Sequence, residues 1–337
     1  SINLDISSFN TENVVDMSYM FATCTSIASL SLSNFKTNEV TNLSYMFKSC
    51  YYISSLDLSK FITNEVRDMS YTFFECRELT SLDLSNFDTE KVTSFSHTFA
   101  SCSKLKGIKF SSLFKTNNVI SMNYMFHNNG ELLSLDLSFF DTKQVKDMEN
   151  LFAGCYRLEF LDLSKFNTSN VQNMGGIFSE CSSLTSLDVS HFDTKNVIKM
   201  NYMFDSCTSL TSIDVSKFNT DSVEDMSNMF SECNKLKNLD LKNFNTRKVN
   251  QMNNMFIYCT SLEKLDLSNF FTPNLYGMSF MFQGCNSLTS IDMHNFDTSN
   301  VDSFSFVFEG CKSLKSIDLS NFNTNNLRDT SYMFEGC

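Results

Sequence analysis

The stretch CSSLTSLDVSHFDTKNVIKMNYMFDSC, residues 181–207, opens and closes on a cysteine. Cys155 precedes it and Cys233 follows it at the same interval of 26 residues. The cysteine is one column among many. Phenylalanine recurs at Phe9, Phe35, Phe61 and Phe87 and on to Phe322, and a second column runs Phe21, Phe47, Phe73, Phe99, Phe126 to Phe334. Threonine follows the first phenylalanine by two residues, from Thr11 to Thr324. One copy carries an extra residue in KFSSLFKT (109–116), after which the phase resumes. Self-similarity at this period marks stacked coils, each unable to bury its apolar face alone. About thirteen copies fill residues 1–337, read as a single repeat solenoid.

Within the quoted copy, Leu184, Leu187 and Val189 follow L-x-x-L-x-L, and Asp188 alternates with its neighbours as in a short strand. HFDTKN then crowds turn-forming residues together. Val197, Met200, Met203, Phe204 and Cys207 follow at helical spacing, which predicts a helix of about two turns with Thr194 at its cap. One short parallel strand and one short helix per coil make an α/β chain, a right-handed, leucine-rich-repeat-like solenoid with about 4.8 Å between neighbouring strands. Methionine in the helix columns reads as core filler. The two phenylalanine columns are expected to stack continuously.

All twelve cysteines occupy one column, and Asn129 fills its single gap. Asparagine can replace a buried thiol that hydrogen-bonds to a neighbouring backbone, but not a disulfide partner or a reactive thiolate. Zinc is disfavoured by the lack of any Cys-x-x-Cys pair and by only four scattered histidines. The column therefore predicts a ladder of small buried side chains.

The columns in MSYMFATC (17–24), LDLSNFDT (82–89) and MFQGCNSLTSIDM (281–293) resemble those of the BspA-like leucine-rich-repeat bacterial surface proteins built of a 26-residue repeat. The resemblance spans the whole chain. It implies a surface protein of lipoprotein type, extracellular, with a role in adhesion or binding and no catalytic motif to carry over. The chain begins and ends in phase without caps, signal or anchor, and is read as a fragment of a longer protein.

A net charge of −12 argues against nucleic acid and anionic membrane surfaces, and no stretch is long and apolar enough for insertion into a membrane. His97, His127, His191 and His294 form no nucleophile–base pair with a neighbour, so the chain is read as no enzyme. The outward strand slot holds aspartate in nearly every copy, including Asp136, Asp162, Asp188, Asp214 and Asp240, with Ser31 and Lys109 as exceptions. Like charges at about 5 Å repel by roughly 0.8 kcal/mol even in water. Either calcium compensates them, or, as the favoured reading has it, flanking serines and turn backbone do. No cofactor is otherwise expected.

Two further places depart from the repeat. Phe271 and Tyr276 lie in FTPNLYG (271–277), and Phe280 and Phe306 take a slot held elsewhere by Tyr19, Tyr45, Tyr71, Tyr124, Tyr202 and Tyr332. Solvent-facing, these four would form an aromatic partner-binding patch. The irregular coil with Lys109, the insertion near Ser111, and Asn129 is the other. The function expected is non-catalytic binding of a protein or glycan on a host or neighbouring cell. The alternative is a structural spacer that projects another domain from the cell surface.

Overall fold

A computed structural model describes residues 4–337. The chain forms two compact units, Ser1–Asn170 and Val171–Cys337. In the first, strand β1 (Leu82–Asp83) pairs in parallel with β2 (Ile108–Lys109), Leu82 opposite Ile108. In the second, β3 (Lys264–Asp266) pairs in parallel with β4 (Ser290–Asp292), Leu265 opposite Ile291. Isolated parallel bridges run on another side of the coils, as Asp16↔Asn42↔Asp68↔Ser94 in the first unit and Lys199↔Asp225↔Gln251 in the second. Both units are therefore stacks of coils with parallel pairing in register.

The expected helix is absent from the described residues, and the α/β assignment is corrected to coils of short strands and turns. Over 200–207, Met203, Asp205 and Cys207 donate their N–H groups three residues back, to Met200, Tyr202 and Phe204. Met200, Tyr202, Phe204 and Ser206 donate instead to the next coil, to the carbonyls of Asp225, Ser227, Met229 and Ser231 at 2.8–3.1 Å. Tyr202 and Ser206 have φ of 59° and 54°. Positive φ at the third residue marks a type II turn, and a left-handed residue interrupts a right-handed helix at a cost of about 1–2 kcal/mol. Each bond to the next coil contributes about 1 kcal/mol in return. The same two slots have positive φ in coil after coil, from Tyr19 and Thr23 onward.

Thr194 is not a helix cap. Its Oγ1 accepts from the N–H of Asn219 and donates to the Asn219 carbonyl, both at 2.8 Å. Thr37 makes the same pair of bonds with Ile62, and Thr116 with Asp141. These threonines are buried, and each staples its coil to the next.

The second phenylalanine column stacks as expected. Centroids from Phe21 through Phe126 to Phe152 are 5.6–5.7 Å apart, and those from Phe178 to Phe334 are 5.6–5.9 Å apart. The first column stacks only in stretches, as at Phe61–Phe87 and Phe244–Phe270–Phe296, with spacings out to 6.5 Å. Its rings tilt to meet neighbours such as Phe110, which replaces the leucine of other copies.

The cysteines are free thiols. Cys50, Cys76 and Cys102 donate from Sγ to the carbonyls of Phe21, Phe47 and Phe73 in the preceding coil at 3.1–3.2 Å, and Cys233, Cys259 and Cys285 do likewise in the second unit. Burial pushes the thiols of Cys102, Cys155 and Cys259 up to about 12. Neutral, bonded and enclosed, they are structural groups.

Candidate binding surface

Three kinds of exposed position come out of this frame. On the strand side, each aspartate folds back on its own coil. Ser138, Ser164, Ser190, Ser216 and Lys242 donate backbone N–H groups to Asp136, Asp162, Asp188, Asp214 and Asp240 at 2.9–3.1 Å. These are Asx turns. Hydrogen bonds from the Ser190 side chain and backbone hold the Asp188 carboxyl below its usual range, and Ser216 does the same for Asp214. Lys109, which interrupts the column, sits 3.0 Å from Asp83. Ser85 and Lys109 together bring Asp83 down to about 2. Among the described residues no three His, Cys, Asp or Glu side chains come together as a metal site.

The second position is the ring slot at the first positive φ. Phe280 and Phe306 lie face to face at 4.7 Å, and Phe306 continues onto Tyr332 at 4.6 Å. Both phenylalanines are half-buried. Phe271 and Tyr276 are exposed, in two other columns, and Phe271 lies under the Arg247 guanidinium at 5.0 Å. The four residues expected to make one patch are thus divided. Phe280 and Phe306 belong to a ring stack, and among the described residues no ring contact joins Phe271 or Tyr276 to them. In the first unit the same slot holds Tyr19, Tyr45, Tyr71, His97 and Tyr124, stacked at 4.3–4.6 Å. His97 belongs to this column, and its place 26 residues after Tyr71 is the signal that shows it. Burial, with His127 nearby, lowers its pKa to about 4, so it stacks as a neutral ring.

The third position is where the repeat holds small or polar residues and this chain does not. Phe160 takes the outward slot that holds Ser55, Ser81 and Ser134 in other coils, and it is 67% exposed, the most of any large apolar side chain described. Leu133, on the preceding coil, takes a slot of Ser54, Thr80 and Lys106 and is exposed as well. The Tyr156 ring lies over Gly130, 3.1 Å from where a Cβ would stand, and is 43% exposed. Leu113 and Phe139 are exposed at the corner after the strand, where Asn86 and Lys165 stand in other coils. All five lie in the first unit, from the inserted coil onward. In the second unit Phe271 and Tyr276 are exposed too, and alignment of the polar slots is what reveals the exposed side chains of the first.

Asn129 belongs to this region but points inward. Its Nδ2 donates to the Phe99 and Phe126 carbonyls, each at 2.9 Å.

The fold and its surface define a protein of stacked 26-residue coils. The chain belongs to the family DUF285, described as Mycoplasma protein of unknown function, whose model matches residues 1–111, 68–160, 109–204, 155–270 and 258–337. No curated protein matches it. Among solved structures it is similar to a leucine-rich cell surface protein of Faecalibacterium prausnitzii, at 17% identity over 93% of this chain and 76% of that one, TM-score 0.46. A leucine-rich repeat protein of Bacteroides ovatus matches at 19% identity over 96% and 80%, TM-score 0.39. An internalin of Listeria monocytogenes matches at 15% over 90% and 73%, TM-score 0.28. No helix among the described residues is long and apolar enough to cross a membrane.

Proposed function

We propose that the chain is a non-catalytic binding module of a cell surface protein of the BspA-like type, which engages a protein or glycan on a host or neighbouring cell. The observation that carries this reading is Phe160, 67% exposed in a serine slot, with exposed Leu133 on the adjacent coil. Nothing in the coil's packing calls for a large apolar side chain at either slot. Exposing such groups costs solubility, and contiguous exposed apolar area on a folded chain marks interaction sites. Aromatic anchors are the usual energetic centre of such sites, and exposed Asp136 and Asp162 occupy outward strand slots two residues on from Ser134 and Phe160. Phe271 and Tyr276 form a smaller, separate candidate in the second unit.

A spacer role draws support from the coil-to-coil ladders of threonine, cysteine and backbone. The two readings part at the cell surface. Fluorescently labelled chain is applied to intact host cells, to cells stripped by protease, and to cells stripped of glycans by periodate. Saturable binding, lost with one of the two treatments, supports the module and names the partner class. Binding to untreated cells no greater than that of an unrelated acidic protein leaves the spacer.

A further inference from the structure

Tyr19, Tyr45 and Tyr71 take the ring slot on three successive coils of the first unit. Their backbone N–H groups are pegged to Ser44, Ser70 and Ser96 of the following coils at 2.9–3.1 Å, and all three have φ of 57–60°. Identical anchoring aims the three rings the same way. Tyr19 and Tyr45 lie 4.4 Å apart at 6°, and Tyr45 and Tyr71 lie 4.6 Å apart at 6°. Parallel rings from equivalent backbones set phenol beside phenol and ortho carbon beside ortho carbon. The run of tyrosines ends at His97, which separates Tyr71 from Tyr124. Tyr19 is 57% exposed and the other two are half-buried, so an oxidant in solution reaches the ring edges.

The thiols offer no covalent link between coils, since those of Cys50 and Cys76 are buried and bonded to backbone carbonyls. The phenols do. We propose that Tyr19, Tyr45 and Tyr71 are an oxidative cross-linking site, at which Tyr45 is joined to Tyr19 or Tyr71 as dityrosine by hydrogen peroxide acting through a haem peroxidase. Each of the two phenols gives up one electron and its hydroxyl proton, leaving two phenoxyl radicals. The radicals couple through one ortho carbon each, forming a single C–C bond. The hydrogen on each coupled carbon then moves to its oxygen and restores both phenols. The two electrons and two protons reduce one peroxide to two waters. The product lacks two hydrogen atoms and ties one coil to the next by a bond that reducing agents do not break.

The test oxidises the full chain with peroxidase and peroxide at low concentration and isolates the monomer. The expected result is blue dityrosine emission from the monomer, a mass lower by two hydrogens, and a cross-linked peptide pair containing Tyr45. Tyr45→Phe abolishes all three, whereas Tyr276→Phe changes none. Phenylalanine already occupies the slot at Phe280 and Phe306, so Tyr45→Phe keeps the stack, and circular dichroism verifies that it does. Tyr19→Phe leaves only the Tyr45–Tyr71 product. A monomer without dityrosine overturns the proposal, as does an equal yield from Tyr45→Phe or from chain oxidised in guanidinium.

Discussion

Asn129 donates from Nδ2 to the Phe99 carbonyl at 2.9 Å, the bond that Cys102 makes to the Phe73 carbonyl at 3.1 Å one coil earlier. The slot selects for a short donor pointing at the preceding coil, and two unlike side chains meet the demand. Asparagine also brings an acceptor, however, and its Oδ1 is buried without a partner. A buried unsatisfied acceptor costs about 1–3 kcal/mol. Asn129→Cys is therefore expected to hold or raise stability. Asn129→Ala, which removes the donor and leaves a void, is expected to lower it by about 1–3 kcal/mol. Urea titration of the three proteins measures both, and a stable alanine variant would show that the slot is filled by size alone.

The thiols titrate out of reach at neutral pH. Burial holds Cys50, Cys102, Cys155, Cys207, Cys259 and Cys311 at about 12, well above roughly 8.5 for a thiol in the unfolded chain. Their contribution to stability is complete below that lower value and is lost as pH rises toward the upper one. Unfolding free energy is expected to fall steadily above about pH 8.5. At pH 7.5 only half-buried Cys24 and exposed Cys337 should react with a thiol reagent in the native state. Labelling followed by peptide mapping reads this, and rapid modification of Cys155 would refute the ladder.

The carboxylates act at the other end of the scale. Side-chain and backbone bonds from Ser7, Ser190, Ser216 and Ser320 lower the pKa of Asp5, Asp188, Asp214 and Asp318. Their contribution is present above about 3.9, the unfolded value, and is lost as pH falls through the folded values. The melting temperature is expected to drop below about pH 4 and to stay the same between chelator and millimolar calcium at pH 7. A calcium-dependent rise would instead support the cation reading of Asp136, Asp162, Asp188, Asp214 and Asp240.

Two substitutions gauge the staples against the stack. Thr194→Val deletes both bonds to Asn219 and is expected to cost about 1–3 kcal/mol, while Thr194→Ser keeps most of that. Phe204→Ala opens a void between Phe178 and Phe230 and should cost about 3–5 kcal/mol. Denaturant unfolding that ranks Thr194→Val above Phe204→Ala would place the energy in the staples.

Much of this was legible at Cys181–Cys207. The period, the parallel register, the buried thiol column and its equivalence with Asn129 follow from which residues replace one another in a slot. The turns in place of helix do not, because Met200, Met203, Phe204 and Cys207 have the same spacing in both. What decides is the sign of φ at Tyr202 and Ser206, and a tyrosine or serine carries no mark of it. Glycine does: Gly154, Gly176, Gly284, Gly310 and Gly336 fall in these two slots and have φ of 61–74°. Five of the nine glycines sharing two columns was the available signal. For the surface, aromatic count pointed to Phe271, Tyr276, Phe280 and Phe306. Phe271 and Tyr276 are exposed, whereas Phe280 and Phe306 stack on each other, and stacking is not written in a count.

Binding through side chains of the first unit that the repeat does not need is tested by one comparison. Binding of the wild-type chain to intact cells is measured beside that of a Leu133→Ser, Phe160→Ser variant and a Phe271→Ser, Tyr276→Ser variant, each verified as folded by circular dichroism. The first variant is expected to lose binding and the second to retain it. Undiminished binding by the Leu133→Ser, Phe160→Ser variant would contradict this expectation.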